Sequence, residues 1–369
     1  MVKLTIDNLS IGGDGIGRLE GKVVFVYGAC PGDVLLVDII EENKNFSRGR
    51  IKEIVMPSPH RIKPPCPVAD ECGGCSWQQI SHEEQLAQKQ LMLRSSLEKE
   101  LKTKDLPIKS IRPSPVSFRY RNRIQPQVRS NTLGFYKKGS NTFLEIQDCL
   151  ITEEALTKEF PKILALKPKD GRIEIRLNQQ GLVEWKHIED GEFEGLGFSQ
   201  VNRFQNDELI NTVVDRIKSL TETTVYDLYA GSGNFSFPIA KQFPQKKVIA
   251  VELSALLVEA GRFMQKSLDS TNLTFVEANV DSFLKRTELS GDSIVLVDPP
   301  RAGMSQYATK ALANSKARHF IYISCHPATL ARDLRFLLSE NPQLKIEEIL
   351  PFEMFPQTDH METIVFLKS

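Results

Sequence analysis

The rhythm of hydrophobic and polar positions changes twice along the chain. Over residues 1–56 it alternates in short runs, KLTIDNL, GRLEGKVVFVYGA, DVLLVDIIEE and FSRGRIKEIV. Turns at GGDGIG (12–17) and PGD (31–33) separate them. Alternation buries one face of each run, and several short strands with tight turns predict a small β-barrel. The proline-rich PSPHRIKPPCP (57–67) marks its end. Residues 81–102 take helical spacing, with Ser81 as cap and Glu84 completing a capping box. Residues 112–196 read as mixed strands, RIEIRLNQ and LVEWKHIE among them. From about residue 205 helices and strands alternate: NDELINTVVDRIKSL, then TVYDLYA, KVIAVEL, LTFVEAN, SIVLVDPP and HFIYISC with helical segments between. That order predicts a parallel sheet covered on both faces. KIEEILPFEMF and TIVFLKS close the chain, and the short link PQTDHME suits an antiparallel pair.

Composition narrows the classes. The chain of 369 residues carries 47 basic and 47 acidic side chains, so any affinity for nucleic acid must come from a local patch. One stretch qualifies: residues 112–138 hold seven Lys/Arg and no acid, interleaved with Phe118, Tyr120, Phe135 and Tyr136. Cations beside stacking rings fit RNA; a solvated strand face next to a core fits equally well. No apolar run approaches the ~20 residues of a membrane span and the N-terminus lacks a signal-peptide core, so a cytoplasmic protein without membrane contact is expected. Of six cysteines, Cys66, Cys72 and Cys75 cluster as C-x5-C-x2-C, which points to a metal or a cluster. By spacing alone, zinc and iron–sulfur both remain open. Cys30 reads as packing.

In an open parallel sheet, ligands bind at the carboxyl ends of the strands. Gly231, Glu252, Asn279, Asp298 and Cys325 all fall at such ends. Gly231 and Gly233 permit close backbone approach, and Glu252, 21 residues after Gly231, suits a ribose diol. Ser236 replaces the third glycine of a dinucleotide fingerprint, and Asp227 at the strand end disfavours a pyrophosphate while tolerating a cationic ligand. Pro299 and Pro300 hold Asp298 outside helical geometry. A final antiparallel hairpin brings a turn with His360 and Glu362 to the same edge, beside the Cys325 thiol. Taken singly, Cys325 reads as a buried strand-end cysteine, Glu362 as a solvated turn residue and Asp298 as a helix cap.

Taken jointly, FSQVN (198–202), DLYAGSGNFSFPIA (227–240), DPPRAG (298–303), SCHPATLARD (324–333) and FPQTDHMET (355–363) resemble, in order, the motifs of the RNA uracil-5-methyltransferase family. The resemblance implies a class I S-adenosylmethionine-dependent (Rossmann-like) α/β domain at 197–369. It implies a TRAM-like, OB-like RNA-binding barrel at 1–56 and an iron–sulfur-containing α+β central domain at 57–196. It makes Cys325 the nucleophile and Glu362 the general base. Gln200, Tyr229, Asn234, Glu252, Asn279 and Asp298 would line the S-adenosylmethionine site, and Cys66, Cys72, Cys75 and Cys149 would hold a [4Fe–4S] cluster. The partner would be RNA, rRNA ahead of tRNA, and the protein a monomer. Two positions depart from the family: His326 stands where Asn is usual, and Ala230 where Cys is frequent.

The implied chemistry is coherent. A thiolate adding to uracil C6 places electron density on C5, which attacks a sulfonium methyl; a base then removes the C5 proton and the thiolate leaves. The rivals are a tRNA uracil-5-methyltransferase, an amino-group methyltransferase using D-P-P, and a non-catalytic RNA-binding or chaperone protein keeping the fold. Radical methylthiotransferases would want C-x3-C-x2-C, which is absent.

Overall fold

The computed structural model describes residues 1–178, 180–188 and 200–369. Phe198 and Ser199 of FSQVN, and the expected boundary between residues 196 and 197, lie outside the described residues. The chain forms two compact units that do not follow its order. The first comprises Met1–Met92, Ser114–Leu196 and Phe355–His360; the second Leu93–Pro113, Gly197–Met354 and Met361–Ser369.

The first unit opens with the expected barrel. β1 (Val2–Leu9), β2 (Gly15–Leu19), β3 (Lys22–Val26), β4 (Val34–Glu42) and β5 (Phe46–Met56) close in the order β1-β2-β3-β5-β4. The run GRLEGKVVFVYGA is two strands, because Glu20 and Gly21 take positive φ and turn the chain back. Leu4, Ile6, Val24, Val26, Leu35 and Val37 fill the interior at alternate positions. Cys30 is fully buried, as packing requires, and burial pushes its thiol up to about 11.

α1 (His82–Leu101) follows. Ser81 Oγ accepts from the Glu84 amide at 3.4 Å, while the Glu84 carboxylate takes the Gln88 side-chain amide at 2.8 Å. A six-stranded sheet comes next: β6 (Arg123–Ile124), β7 (Gln127–Arg129), β8 (Thr132–Tyr136), β9 (Phe143–Glu145), β10 (Gly171–Leu177) and β11 (Val183–His187), ordered β11-β10-β7-β8-β9 with β6 on β10. Short helices α2 (Glu154–Thr157) and α3 (Phe160–Ala165) bury Leu156, Phe160 and Ile163 with it.

The basic-aromatic stretch is largely structural. Tyr120 is fully buried, and Arg112, Arg119, Arg123, Lys137 and Lys138 pair with Glu208, Asp148, Glu174, Glu71 and Asp14 respectively. Arg129 lies over the Tyr136 ring at 5.5 Å.

The second unit is the alternating half. α4 (Arg203–Lys218) precedes β12 (Thr224–Leu228), α5 (Ser236–Gln242), β13 (Lys247–Glu252), α6 (Ala255–Ser267), β14 (Leu273–Glu277) and α7 (Val280–Leu284). β15 (Ser293–Val297), α8 (Gln306–Ala313), β16 (His319–Ser324), α9 (Pro327–Glu340), β17 (Lys345–Phe352) and β18 (Glu362–Lys368) complete it. The strands form one sheet ordered β14-β13-β12-β15-β16-β18-β17. The first five in that order run parallel; β18 is antiparallel to both neighbours. Residues 107–112 extend along β17, with Ile108 bridged to Ile349 and Arg112 to Phe352. β15 is buried at every position, the mark of a strand covered on both faces. Among the described residues, no helix is long and apolar enough to cross a membrane.

Candidate active site at the carboxyl edge of the sheet

The edge is built strand by strand. After β12, Tyr229 and Gly231 take φ of +64° and +58° and Gly233 +101°, which wraps the loop tightly. A Cβ on Gly233 would lie 2.8 Å from the Phe237 ring, so this position admits only glycine. Glu252, the last residue of β13, fixes the loop: its carboxylate accepts the amides of Gly231 at 2.9 Å and of Leu253 and Ser254 at 2.8 Å. Asn234 forms a reciprocal amide pair with Asn206 of α4, at 2.9 and 3.0 Å. Asn279 is exposed and caps α7, accepting from Asp281 N at 2.9 Å. Gln200 is half-buried on the lead into α4, whose N-cap is Asn202.

β15 delivers Asp298, whose amide donates to Leu228 O at 3.3 Å and so ties it to the end of β12. Asp227 is fully buried one residue before Leu228; its Oδ2 accepts from Ser236 Oγ at 2.5 Å. Burial, chiefly, raises both carboxyls to about 7, with the charge of Asp227 adding to the rise at Asp298.

Cys325 and Glu362 meet through strand register. Ser324 pairs with Thr363 in the antiparallel β16–β18 ladder. The ladder ends at that pair: Cys325 is the next residue after Ser324, and Glu362 is the residue just before Thr363. Glu362 is therefore no turn residue: it pairs with Phe352 as the first residue of β18 and is 4% exposed. Burial pushes the Cys325 thiol up to about 12, reinforced by Glu362, whereas Arg301 draws it down. Glu362 is held far above the usual carboxylate range by burial and by Asp298, with Arg301 again opposing. Their surroundings thus favour the protonated form of both groups.

Several contributors were not assigned from sequence. Arg301, inside the DPPRAG motif, is the cation that acts on both Cys325 and Glu362. Asp333 of α9 accepts from Met304 N at 2.8 Å, Tyr322 Oη at 2.7 Å and Arg332 Nε at 2.8 Å. Arg332 Nη2 also donates to Ala302 O at 2.7 Å. This lacing ties the loop after Asp298 to the helix after Cys325. Its one sequence signal was the Arg-Asp pair ending SCHPATLARD. His326 caps α9, its Nδ1 accepting from Thr329 N at 3.4 Å, so an imidazole nitrogen does the work of an amide oxygen there. His360 lies in the Phe355–His360 link of the first unit, where Asp359 accepts from Gly12 N at 2.8 Å and Tyr120 donates to Pro356 O at 3.0 Å.

In the first unit, Cys66, Cys72, Cys75 and Cys149 line one cavity of about 140 Å³, with Val68, Phe135, Ile146 and Ile151 among its walls. Burial raises the thiols of Cys66, Cys72 and Cys75, the last to about 12, and Cys149 adds to each rise. Among the described residues, no three His, Cys, Asp or Glu side chains are grouped to hold a metal ion.

A parallel α/β sheet with a reversed penultimate strand and a glycine loop held by a strand-end acid defines the class I methyltransferase fold. Residues 174–369 match the family described as tRNA (uracil-5-)-methyltransferase, and residues 1–52 match the TRAM domain. An uncharacterised RNA methyltransferase of Bdellovibrio bacteriovorus is 43% identical over 376 residues, covering 100% of this chain and 95% of that protein. A 23S rRNA (uracil(1939)-C(5))-methyltransferase of Vibrio parahaemolyticus is 29% identical, covering 99% of this chain and 95% of that protein. The Pyrococcus abyssi tRNA (uracil-54, C5)-methyltransferase, solved with S-adenosyl-L-homocysteine, superposes with a TM-score of 0.74 at 21% identity, covering 99% of this chain and 100% of that one. The chain belongs to the tRNA (uracil-5-)-methyltransferase family and is an RNA uracil-5-methyltransferase.

Proposed function

We propose that the chain methylates C5 of a uridine in RNA with S-adenosylmethionine as donor, Cys325 adding to C6 and Glu362 removing the C5 proton. The end of the β16–β18 ladder, where Cys325 and Glu362 both adjoin the Ser324–Thr363 pair, carries this reading. The acids at the edge, including two orphaned buried oxygens, fit a cationic ligand, with Tyr229, Asn234, Glu252, Asn279, Asp298 and Gln200 as its lining. Glu252 keeps lone pairs for a diol beyond those its amide partners use. Bound there, the donor supplies an electrophilic methyl. The Cys325 thiol gives its proton to solvent, Arg301 favouring the thiolate, and the C5–C6 π pair moves onto C5 as Sγ bonds to C6. As the ring rearomatises, the C5–H electron pair restores the C5–C6 double bond, Glu362 takes the proton, and Sγ leaves with its own pair. The target base must leave its stack, at about a few kcal/mol. The barrel at 1–56 and the central region at 57–196 would grip the strand, leaving 197–369 for the chemistry.

The test is a pair of variants with radiolabelled donor and RNA. Cys325→Ala abolishes methyl transfer, and Glu362→Gln accumulates a covalent protein–RNA adduct. Full turnover by Cys325→Ala would refute the scheme.

For the target we favour 23S rRNA: rRNA enzymes of Vibrio parahaemolyticus and Marinomonas align over 99% of this chain at 29% and 27% identity. tRNA is the second reading, on the family's description. Mapping 5-methyluridine in rRNA and tRNA from a deletion strain separates them. We place the enzyme in the cytoplasm, as a monomer.

The four thiols fit a polynuclear cluster better than a single ion. Ligands of one zinc sit about 2.3 Å from the metal and so close on each other, whereas these line a cavity. We assign Cys66, Cys72, Cys75 and Cys149 to a structural [4Fe–4S] cluster that would pin the loops carrying them. Anaerobically purified protein should show a broad visible band, lost in Cys72→Ser. Stoichiometric zinc without iron would sink the assignment.

A further inference from the structure

Two buried carboxylate oxygens on the carboxyl edge have no hydrogen-bond partner among the described residues: Asp227 Oδ1 and Glu362 Oε2. Ionising either acid in that state leaves charge in a dry site with part of its solvation unreplaced. Asp298, tied to Leu228, stands electrostatically between them, acting on Glu362 and acted on by Asp227. Glu252 on β13 adds its charge to Asp227. From the loop after β15, Arg301 is the cation, among the described residues, whose charge opposes the rise at Glu362 and Cys325. Two buried carboxyls, each with an oxygen that no donor satisfies, and Asp298 thus share an edge where burial and like charge favour bound protons. This poses a chemical difficulty: surroundings that favour the protonated form of Glu362 oppose its taking the proton on C5.

We propose that Asp227, Asp298 and Glu362 form a proton-holding cluster that a sulfonium ligand discharges, and that loss of the sulfonium charge restores Glu362's hold on a proton when the C5 proton must be taken. The inference rests on the reading above and deepens it. Binding of S-adenosylmethionine brings one positive charge to the edge and expels a proton to solvent. Methyl transfer breaks the methyl–sulfur bond with its pair left on sulfur, so a neutral thioether remains while C5 gains the methyl. Glu362, ionised and now without the neighbouring cation, accepts the C5 proton. The C5–H pair re-forms the C5–C6 double bond, and the C6–Sγ pair leaves as the Cys325 thiolate.

The test is calorimetric and uses the full chain without RNA. S-adenosylmethionine and S-adenosylhomocysteine are each titrated near neutral pH in phosphate and in Tris, whose ionisation enthalpies differ. The dependence of observed heat on buffer gives the protons released. The sulfonium ligand should release about one proton more than the thioether, and its affinity relative to the thioether should rise up to about tenfold per pH unit. Glu362→Gln should shrink the difference. Equal proton release for the two ligands, or a flat affinity ratio between about pH 6 and 8, overturns the proposal. If both ligands bind and RNA is methylated without that difference, only the proton coupling fails. If neither ligand binds, the coupling and the proposed function fail together.

Discussion

Replacing Asp333 by Asn tests whether the lacing between α9 and the loop after Asp298 holds the site together. Asp333 is 1% exposed, and its carboxylate takes two donors on each oxygen: Met304 N and Tyr322 Oη on Oδ2, Arg332 Nε and Nη2 on Oδ1. An amide offers one oxygen. If that oxygen stays toward Arg332, the new NH₂ faces Met304 N–H and the Tyr322 hydroxyl. The hydroxyl can turn to accept; the Met304 amide cannot. One buried donor left unpaired costs ~1–3 kcal/mol. The bonds that remain lose their ionic partner, but the Arg332 side chain is 40% exposed, so solvent offsets much of that loss. The sum is about 2–4 kcal/mol. At roughly 2–4 °C per kcal/mol for a fold of this size, the melting temperature should fall by roughly 4–16 °C.

Urea unfolding of Asp333→Asn, with an unchanged slope, measures that loss directly. Methyl transfer should fall more than folding does, by up to ~100-fold, because Asp298 and Arg301 ride on the loosened loop. Tyr322→Phe removes the other end of one of the same bonds, so the two losses should be less than additive in the double variant. A destabilisation below ~0.5 kcal/mol, or strict additivity with Tyr322→Phe, would refute the reasoning.

Three further outcomes follow from the same edge. Asp227 holds its proton up to about 7 in the fold but releases it near 4 when unfolded. Stability should therefore fall as pH rises through that window, on the order of 3 kcal/mol; Asp227→Asn should gain on wild type from pH 5 to pH 8 by urea midpoint, and a pH-independent difference would contradict this. Gly303 has φ +79°, and a Cβ there would meet Arg332 Nη2 and Asp333 Oδ2 at 2.5 Å; Gly303→Ala should cost roughly 1–3 kcal/mol and most of the activity, and near-wild-type turnover would contradict it. His326→Asn should keep both cap and activity, whereas His326→Ala should lose ~1 kcal/mol of thermal stability; equal losses in the two would show that the ring does something other than cap.

The helix–strand alternation from about residue 205 was legible because the period between strands is regular, and several strands end at a residue with a chemical signature. Glu252, Asp298 and Cys325 fell where the topology put them. Glu362 was misread as a turn residue because PQTDHME is polar and carries a proline, so nothing local marks where pairing resumes. Only the cross-strand partner Phe352 does, and that is a tertiary fact. Residues 112–138 misled in the other direction. Their cations looked available because the acids that take them lie far off in sequence, 29, 51 and 66 residues away for Asp148, Glu174 and Glu71. Asp333 was visible as a letter but not as a brace, since its partners come from three separate segments.

The reversed strand explains why this edge can hold Cys325 and Glu362 together. In a purely parallel sheet every strand presents its last residues at the carboxyl edge, and its first residues lie a full strand length away. Cys325 follows the end of β16 and reaches the edge that way. Glu362 is the first residue of β18, so a parallel β18 would leave it at the opposite edge, roughly 20 Å off for seven residues at ~3.3 Å each. Because β18 runs antiparallel between β16 and β17, its start arrives where β16 ends. Shifting the register by one residue would turn Glu362 to the other face of the sheet. The apolar residues of β18, buried from Ile364 to Leu367, resist such a shift. The approach of Cys325 and Glu362 is therefore set by the pairing and packing of the last strand.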